Sequence, residues 1–251
     1  MWRFGRNRQD VPVQVTVIGC SPAWSNPGGA QSGYLVEGDG RLLLDCGPGV
    51  LSRLRELDGG WPHVHAIAIT HFHLDHWGDL VPWTFGASFG PGREVPKPDL
   101  WLPPGGEARL RDFGSQLSFG DGLDTAFNVR EYQGGTAFEA GGFSIVPYAL
   151  EHYSEETYGL RVFGRAGTLA YSGDTGPSEN LTELARDADL FLCEATLADP
   201  EPAERGHLTE TEALDAFRES GAKRLVVIHR PSELPLGPSV ERAQDGAVLA
   251  L

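Results

Sequence analysis

The motif His-Phe-His-Leu-Asp-His at residues 71–76 constrains this chain more than any other feature of its sequence. It follows a short apolar run, Ala-Ile-Ala-Ile-Thr, which is typical of a buried β-strand. Alternate residues of an extended segment point the same way, so His71 and His73 can bind one ion while Asp75 and His76 turn towards a neighbouring ion. Imidazole and carboxylate ligands without thiolate suit zinc, manganese or iron. The motif therefore predicts metal binding at the end of a buried strand.

Length and composition indicate a globular protein. At 251 residues the chain can bury a full core, and we predict a polar, mobile leader at residues 1–11 followed by a single domain at residues 12–251. No apolar run approaches the ~20 residues needed to span a bilayer, and the N-terminus lacks an apolar signal core. The three cysteines are odd in number and far apart, as expected for reduced thiols. These features predict a cytoplasmic protein that does not enter a membrane.

The net charge argues against a large nucleic-acid partner. The formal charge is −15, whereas a nucleic-acid footprint normally needs clustered Lys and Arg side chains. A small anionic substrate is still compatible with this charge, because the charge of bound metal dominates a site locally.

The pattern along the chain favours sheets in the middle with helices outside. Gly-Asp-Gly at residues 38–40 lies between two apolar segments and predicts a hairpin, and Thr209 with Glu212 forms a capping box that predicts the start of a helix. Residues 90–135 have the least regular pattern, and we expect them to form a wall of the pocket. Runs of strands, then a helix, then strands again are typical of a layered architecture.

Four polar residues later in the chain repeat the pattern of the motif, because each follows an apolar strand. They are His152, Asp174, His207 and His229. Taken singly, a histidine after a strand is more often a hydrogen-bonded rim residue, and an aspartate in Gly-Asp-Thr-Gly can be a turn residue. Together with the motif they supply ligands for two ions with room for a bridging water, because strand ends gather at one edge of a layered protein.

The order His-x-His-x-Asp-His, then His, then Gly-Asp-Thr, then a final His resembles the metallo-β-lactamase-fold hydrolases. Residues 194–196 (Glu-Ala-Thr) and 206–209 (Gly-His-Leu-Thr) resemble the phosphodiesterase branch, which includes ribonuclease Z and compact bacterial cyclic-phosphate phosphodiesterases. Residues 32–36 and 44–47 also resemble the first motif of that branch. The resemblance extends over about residues 13–229. It implies an α+β fold, a four-layer αββα sandwich, with the metals at the sheet edge.

The resemblance also implies a role for each candidate residue. Carried over by motif, three histidines hold the first metal: His71, His73 and His152. Three further residues hold the second metal: Asp75, His76 and His229. Asp174 bridges both metals, and Asp45 orients the motif loop from behind. The implied cofactors are two divalent ions, with zinc favoured over manganese or iron.

The implied reaction is hydrolysis of a phosphodiester. A hydroxide shared by two ions ~3.5–4 Å apart attacks phosphorus in line, while metal charge offsets the charge that develops on the phosphoryl oxygens. The leaving alkoxide needs a proton, for which His207 is the candidate acid and Glu194 the residue that orients its ring. Asp75 is counted with this pair among the catalytic residues.

The substrate is predicted to be small. In ribonuclease Z enzymes a tRNA-gripping arm is inserted between the counterparts of His152 and Asp174, whereas here that interval has 21 residues, which two strands and their turn occupy. Together with the acidic charge, this favours a cyclic nucleotide or another small cyclic phosphate. Four aromatic residues after the motif can stack a base, pack within a helix or form the interface of a homodimer: Trp77, Trp83, Phe85 and Phe89.

Three alternative interpretations stay open from the sequence. A lactonase or thioesterase would share the metal ligands and differ in substrate. A ribonuclease Z-type RNA endonuclease without the arm would use the same site. A non-catalytic metal-binding protein would have apolar residues in place of some ligands, and the sequence shows no such replacement. Glu194 and His207 favour a phosphodiester over a lactone or thioester, and the missing arm and the acidic charge disfavour tRNA processing.

Overall fold

Two β-sheets packed face to face occupy the centre of the fold. The structure, a computed structural model, describes residues 12–117 and 122–251, so the leader predicted at residues 1–11 lies outside the described residues. The described strands are, in chain order, β1 (Gln14–Gly19), β2 (Gly33–Glu37), β3 (Arg41–Leu44), β4 (Ala66–Ala68), β5 (Asp99–Leu102), β6 (Asn128–Glu131), β7 (Phe138–Ala140), β8 (Phe143–His152), β9 (Glu155–Gly164), β10 (Gly167–Tyr171), β11 (Leu190–Glu194), β12 (Leu225–Ile228) and β13 (Val248–Ala250). The first sheet has the order β13-β1-β2-β3-β4-β5-β6 and the second β12-β11-β10-β9-β8-β7.

Helices cover the outer face of each sheet. In chain order they are α1 (Val50–Asp58), α2 (Leu74–Trp77), α3 (Leu80–Phe89), α4 (Gly106–Gln116), α5 (Gly122–Ala126), α6 (Glu179–Ala185) and α7 (Glu210–Ser220), with a 3-10 turn at Pro91–Glu94. Helices α1, α3, α4 and α5 pack on the first sheet, and α6 and α7 pack on the second. Within residues 12–117 and 122–251, every helix is too short or too polar to cross a membrane.

The central strands bury apolar residues on both faces and so separate three hydrophobic clusters. Alternate residues of a strand face opposite ways, so Leu42 and Leu44 of β3 lie between the sheets while Leu43 packs under the helices of the first sheet. Phe191 of β11 packs in the same way against α6 and α7. The order of layers is helix, sheet, sheet, helix. This confirms the α+β class and the four-layer αββα sandwich.

The hairpin and the capping box lie where the sequence predicts them, but the prediction that His207 follows an apolar strand is wrong, because the chain from residue 198 to His207 forms no strand. Residues 38–40 connect β2 and β3 in an antiparallel hairpin, and Thr209 caps α7 through the reciprocal bonds to Glu212 of a capping box. Ser178 precedes α6, but its side chain makes no capping hydrogen bond. The sequence analysis missed β6, β7 and β13, which lie at sheet edges and have only three or four residues each.

Candidate metal centre

The carboxyl ends of four strands deliver the predicted ligands to one edge of the two sheets. β4 leads into residues 71–76, β8 ends on His152, Asp174 follows β10, and His229 follows β12. β10, β11 and β12 run parallel, and β8 shares their direction because β8 and β10 each pair antiparallel with β9. The strand directions therefore bring together residues that are far apart in sequence.

The seven candidate ligands form two overlapping groups. In the first group, ligand atoms of four residues lie within 4.8 Å of one another: His71, His73, His152 and Asp174. In the second group, the same limit holds for Asp75, His76, Asp174 and His229. Asp174 belongs to both groups, with Oδ2 3.9 Å from Nε2 of His71 and 3.4 Å from Nε2 of His229. The structure thus brings all seven residues together in the two sets that the sequence assigns, while their binding of metal stays a prediction.

Hydrogen bonds on the side away from the centre fix the orientation of the His71 and His76 rings. Asp45 accepts hydrogen bonds from the backbone N–H of Thr70 at 2.8 Å, from Nδ1 of His76 at 2.7 Å and from the hydroxyl of Tyr171. The Thr70 hydroxyl also donates to Asp45 and lies 3.1 Å from Nδ1 of His71. Because Nδ1 of each ring is engaged in this way, Nε2 of each ring is the nitrogen that faces the centre and can bind a metal ion.

Several buried polar atoms at the centre make no hydrogen bond and face one another across short distances. Among the residues that the structure describes, His71 Nε2, His76 Nε2 and Asp174 Oδ1 are buried without a hydrogen bond. Burial and the neighbouring His76 ring lower the pKa of His71 well below its usual value. The His71 ring is therefore neutral, which is the form that binds a metal ion.

The buried negative charge at this edge of the sheets would also favour a bound cation. Four carboxylates are buried here: Asp45, Asp75, Asp174 and Glu194. In the described part of the chain their recorded ion pairs are all with histidines. Burying an ion without full compensation costs on the order of several kcal/mol, and divalent cations would offset that cost. The donor set of imidazole and carboxylate fits two such ions, with zinc, manganese and iron as candidates.

We expect removal of metal to lower the melting temperature of this protein by about 10 °C or more. Free metal at about a thousandfold excess over its Kd stabilises a folded protein by about 4 kcal/mol, and each kcal/mol shifts Tm by roughly 2–4 °C at this chain length. Thermal unfolding followed by circular dichroism, with and without a chelator, measures the shift. A melting temperature that does not change on chelation would contradict the presence of a metal site.

Glu194 and His207 form an ion pair beside the second group of ligands. Nδ1 of His207 lies 2.7 Å from Oε1 of Glu194, and the His207 ring is 5.6 Å from the ring of His229. Burial disfavours the charged ring, but the Glu194 carboxylate raises the pKa of His207 to about 9. Glu194 also accepts hydrogen bonds from three backbone N–H groups: those of Thr175, Thr196 and Leu208. These bonds fix the carboxylate and hence the ring that it orients.

The Thr196 hydroxyl links Glu194 to a candidate metal ligand. Its Oγ1 lies 2.7 Å from Oε2 of Glu194 and 2.9 Å from Nδ1 of His229. A hydroxyl has one proton, so when it donates to the carboxylate it accepts from the Nδ1–H of His229. Nε2 of His229 then points away from Thr196 and lies 3.1 Å from Oδ2 of Asp75, so these two atoms can bind the same metal ion. Thr196 therefore connects the predicted proton donor pair with the second ligand group.

We expect Thr196→Val to weaken binding of one metal ion by about 10- to 100-fold, because valine cannot accept the Nδ1 proton of His229. Thr196→Ser keeps the hydroxyl and should bind metal within about threefold of the wild type. Competition with a chelator of known affinity measures all three proteins. Equal affinity in the valine variant and the wild type would show that this hydroxyl does not orient His229.

The aromatic residues after the motif lie away from the ligands. Trp77 and Trp83 are buried in the cluster between the first sheet and its helices, so packing accounts for both. Phe85 and Phe89 lie in α3, and Phe89 is 80% exposed. Base stacking by these residues therefore has no support from their positions, and the homodimer stays a prediction. Of the segment 90–135, α4 reaches the rim of the site through Arg109, which pairs with Glu155 near the start of β9.

Comparison with known proteins identifies the family. Residues 40–230, well over half of the chain, match the family described as the Beta-lactamase superfamily domain. The chain belongs to this superfamily. It is similar to the probable metallo-hydrolase YhfI of Bacillus subtilis, with 31% identity over 228 residues that cover 87% of each chain. It is also similar to ribonuclease Z of Salinibacter ruber, with 30% identity over 283 residues that cover 90% of this chain and 87% of the relative.

Solved structures agree with this assignment. The crystal structure of the metallo-β-lactamase fold protein YhfI from Bacillus subtilis has a TM-score of 0.79 at 26% identity, and the match covers 94% of this superfamily member and 99% of that chain. A diphosphatase from the PhnP family has a TM-score of 0.76 at 20% identity, covering 94% and 97%, and this likeness shows the fold alone. The relatives and the His/Asp clusters place the chain among metallo-hydrolases with residues that can bind metal.

Proposed function

We propose that this protein is a dinuclear-metal phosphodiesterase that hydrolyses a small phosphodiester, most simply a cyclic nucleotide or another cyclic phosphate. The observation that carries the proposal is the contact between His207 and Glu194 beside the second ligand group, with Nδ1 and Oε1 2.7 Å apart. Breaking a phosphodiester expels an alkoxide, which is a poor leaving group unless a positioned acid protonates it. Thioester hydrolysis expels a thiolate, which leaves readily without a proton, whereas a lactone also expels an alkoxide, so the substrate panel has to separate a lactone from a phosphodiester.

The residues of the chain divide the chemistry between them. Two divalent ions bound by the two ligand groups would polarise the phosphoryl oxygens and supply an acidified water. Asp174 contributes to both groups and so fixes their spacing. One P–O bond forms from the attacking water, which releases a proton to solvent, while the bond to the leaving oxygen breaks and His207 donates its proton to that oxygen. Glu194 stabilises the charged ring before transfer and holds its Nδ1–H, which leaves Nε2 to face the substrate.

The size of the substrate follows from the interval between two ligands. Between His152 and Asp174 the chain forms β9, a tight turn and β10, which leaves no segment for a protruding arm. The alignment with ribonuclease Z of Salinibacter ruber spans 283 residues, more than the whole of this chain, so that relative carries insertions that this chain lacks. The formal charge of −15 also disfavours a long nucleic-acid footprint. These features support a small substrate.

A substrate panel with the metal-loaded protein tests this proposal. We expect turnover of 3′,5′-cyclic AMP or 2′,3′-cyclic AMP and of bis(p-nitrophenyl) phosphate, with little turnover of a lactone or a precursor tRNA. Turnover of the lactone alone would be consistent with the proposed metal centre but would contradict the proposed phosphodiester substrate. Precursor tRNA is included because the 30% identity with ribonuclease Z makes RNA cleavage the second candidate function. Cleavage of that RNA without turnover of cyclic nucleotides would favour the second candidate.

A further inference from the structure

The rim of the metal centre contains an aromatic ring that the proposed chemistry does not use. Tyr153 directly follows His152, in the turn between β8 and β9, and its side chain is 37% exposed. Its ring centroid lies 5.1 Å from that of His152 and 5.7 Å from that of His207. The ring therefore lies beside both a candidate metal ligand and the candidate acid.

The backbone of Tyr153 has a conformation that bulky residues rarely adopt. Its φ is 49°, in the left-handed region that favours glycine. Among the described residues, three other non-glycine residues have positive φ, and two of them, Asp45 and His229, belong to the metal centre. Such strain persists where the surrounding contacts fix it, and it clusters at functional sites. Tyr153 therefore shares a backbone property with residues that orient or form the centre.

Contacts fix the Tyr153 ring while leaving part of it exposed. The phenol hydroxyl donates to Glu201, which also accepts the backbone N–H of Gly206. The ring packs directly against Gly206: a Cβ atom added at that glycine would lie only 2.1 Å from Cε2 of Tyr153. The ring is thus held in place before any ligand binds. Binding a flat group on its exposed part costs little additional side-chain entropy.

The charge of the rim favours a neutral flat group over a second anionic group at this position. The Glu201 carboxylate lies at the hydroxyl end of the ring. The rim cation Arg109 is already paired with Glu155 and lies over the ring of Phe72. His207 and Arg109 are both already paired with carboxylates, so a second phosphate beside Tyr153 would meet the Glu201 charge without full compensation from either of them.

We propose that Tyr153 is a specificity-determining residue whose ring stacks on the nucleobase of a cyclic nucleotide substrate. This inference rests on the proposed function, in which His207 protonates the leaving oxygen of the substrate. A nucleobase attached near that oxygen would lie over the neighbouring Tyr153 ring. Stacking on an aromatic side chain tolerates every base, since each base has a π-face. Purine and pyrimidine cyclic nucleotides are therefore both expected as substrates.

The test compares two substrates in three proteins: wild type, Tyr153→Leu and Tyr153→Phe. The substrates are 3′,5′-cyclic AMP and the matched sugar 3,5-cyclic phosphate that carries hydrogen in place of the base. We expect Tyr153→Leu to raise KM for cyclic AMP by about tenfold or more, with kcat and both constants for the base-free substrate within about threefold of wild type. Tyr153→Phe keeps the ring and should stay within about threefold on both substrates.

The outcomes separate this inference from the proposed function. If Tyr153→Leu changes KM for neither substrate, or for both equally, while the wild type hydrolyses both, stacking is overturned and the proposed function stands. If the wild type hydrolyses neither of these two substrates but hydrolyses 2′,3′-cyclic AMP or bis(p-nitrophenyl) phosphate, the inference is overturned and the proposed function stands. If it hydrolyses no phosphodiester, both fail. Metal content and melting temperature are measured for each variant, so that a leucine variant with a disrupted centre is recognised. If the centre of the leucine variant is disrupted, Tyr153→Phe and Tyr153→Trp, which both keep a ring, take its place in the test. For the inference to stand, both variants must keep KM for cyclic AMP close to the wild-type value.

Discussion

Asp174→Ala is expected to lower kcat/KM for a phosphodiester by about 10³-fold or more. The change removes the one residue common to both ligand groups, and the metal ions would then stabilise the transition state by several kcal/mol less. In the structure Oδ1 of Asp174 lies 3.2 Å from Nε2 of His76, and Oδ2 lies 3.4 Å from Nε2 of His229. Alanine leaves both metal positions without a shared ligand. Metal content should fall along with activity, and the rise in melting temperature on adding metal should shrink.

Asp215→Ala is the matched control for this prediction. Asp215 is also an aspartate, but it lies on the exposed surface of α7 and pairs with Arg218. Its loss should leave metal content and turnover unchanged. Steady-state kinetics and elemental analysis of the same preparations measure both variants. Full activity in Asp174→Ala, at wild-type metal content, would contradict the bridging role.

His207→Ala is expected to show the second large effect, and that effect should depend on the leaving group. With 3′,5′-cyclic AMP the leaving oxygen is an alkoxide that needs a proton, so kcat should fall by about 10²- to 10⁴-fold. With bis(p-nitrophenyl) phosphate the leaving group is stable without a proton, so the loss should be less than about tenfold. Glu194→Gln should follow the same pattern, because glutamine does not stabilise the charged His207 ring.

The controls for this prediction separate proton donation from damage to the metal centre. His63 is exposed near the start of β4 and away from the ligand groups, so His63→Ala should behave as the wild type. Metal content of His207→Ala should also match that of the wild type. An equal loss on both substrates would indicate a structural role for His207, and full activity on cyclic AMP would remove it from the mechanism.

The sequence predicts the position of the ligands well because each one follows an apolar run. Buried strands are identified by composition, and the polar residue after a strand necessarily lies at a sheet edge. This is why His152, Asp174 and His229 could be grouped with residues 71–76 before their distances were known. The order of strands and helices predicted sheets in the middle with helices outside, whereas the four-layer sandwich was implied by the family resemblance.

Residues whose role depends on three-dimensional contact could not be predicted in the same way. Thr196 connects Glu194 to His229 through one hydroxyl, and nothing in its sequence neighbourhood gives the direction of that hydroxyl. Tyr153 reaches the rim only because the turn between β8 and β9 places it in the left-handed region. The sequence feature that could have pointed to Tyr153 as a residue of the rim is its position directly after His152. Trp83, by contrast, fits an apolar helix whether its ring faces a pocket or the core, and the structure shows the core.

The most direct test of the dinuclear phosphodiesterase is a titration of the metal-free protein with zinc or manganese, in which bound ions per chain and turnover of 3′,5′-cyclic AMP are measured in the same samples. We expect turnover to reach its plateau at about two bound ions per chain, and Asp174→Ala to show neither the second ion nor the activity. A plateau at one ion per chain would contradict the dinuclear site. Two bound ions without turnover of any phosphodiester would contradict the assigned reaction.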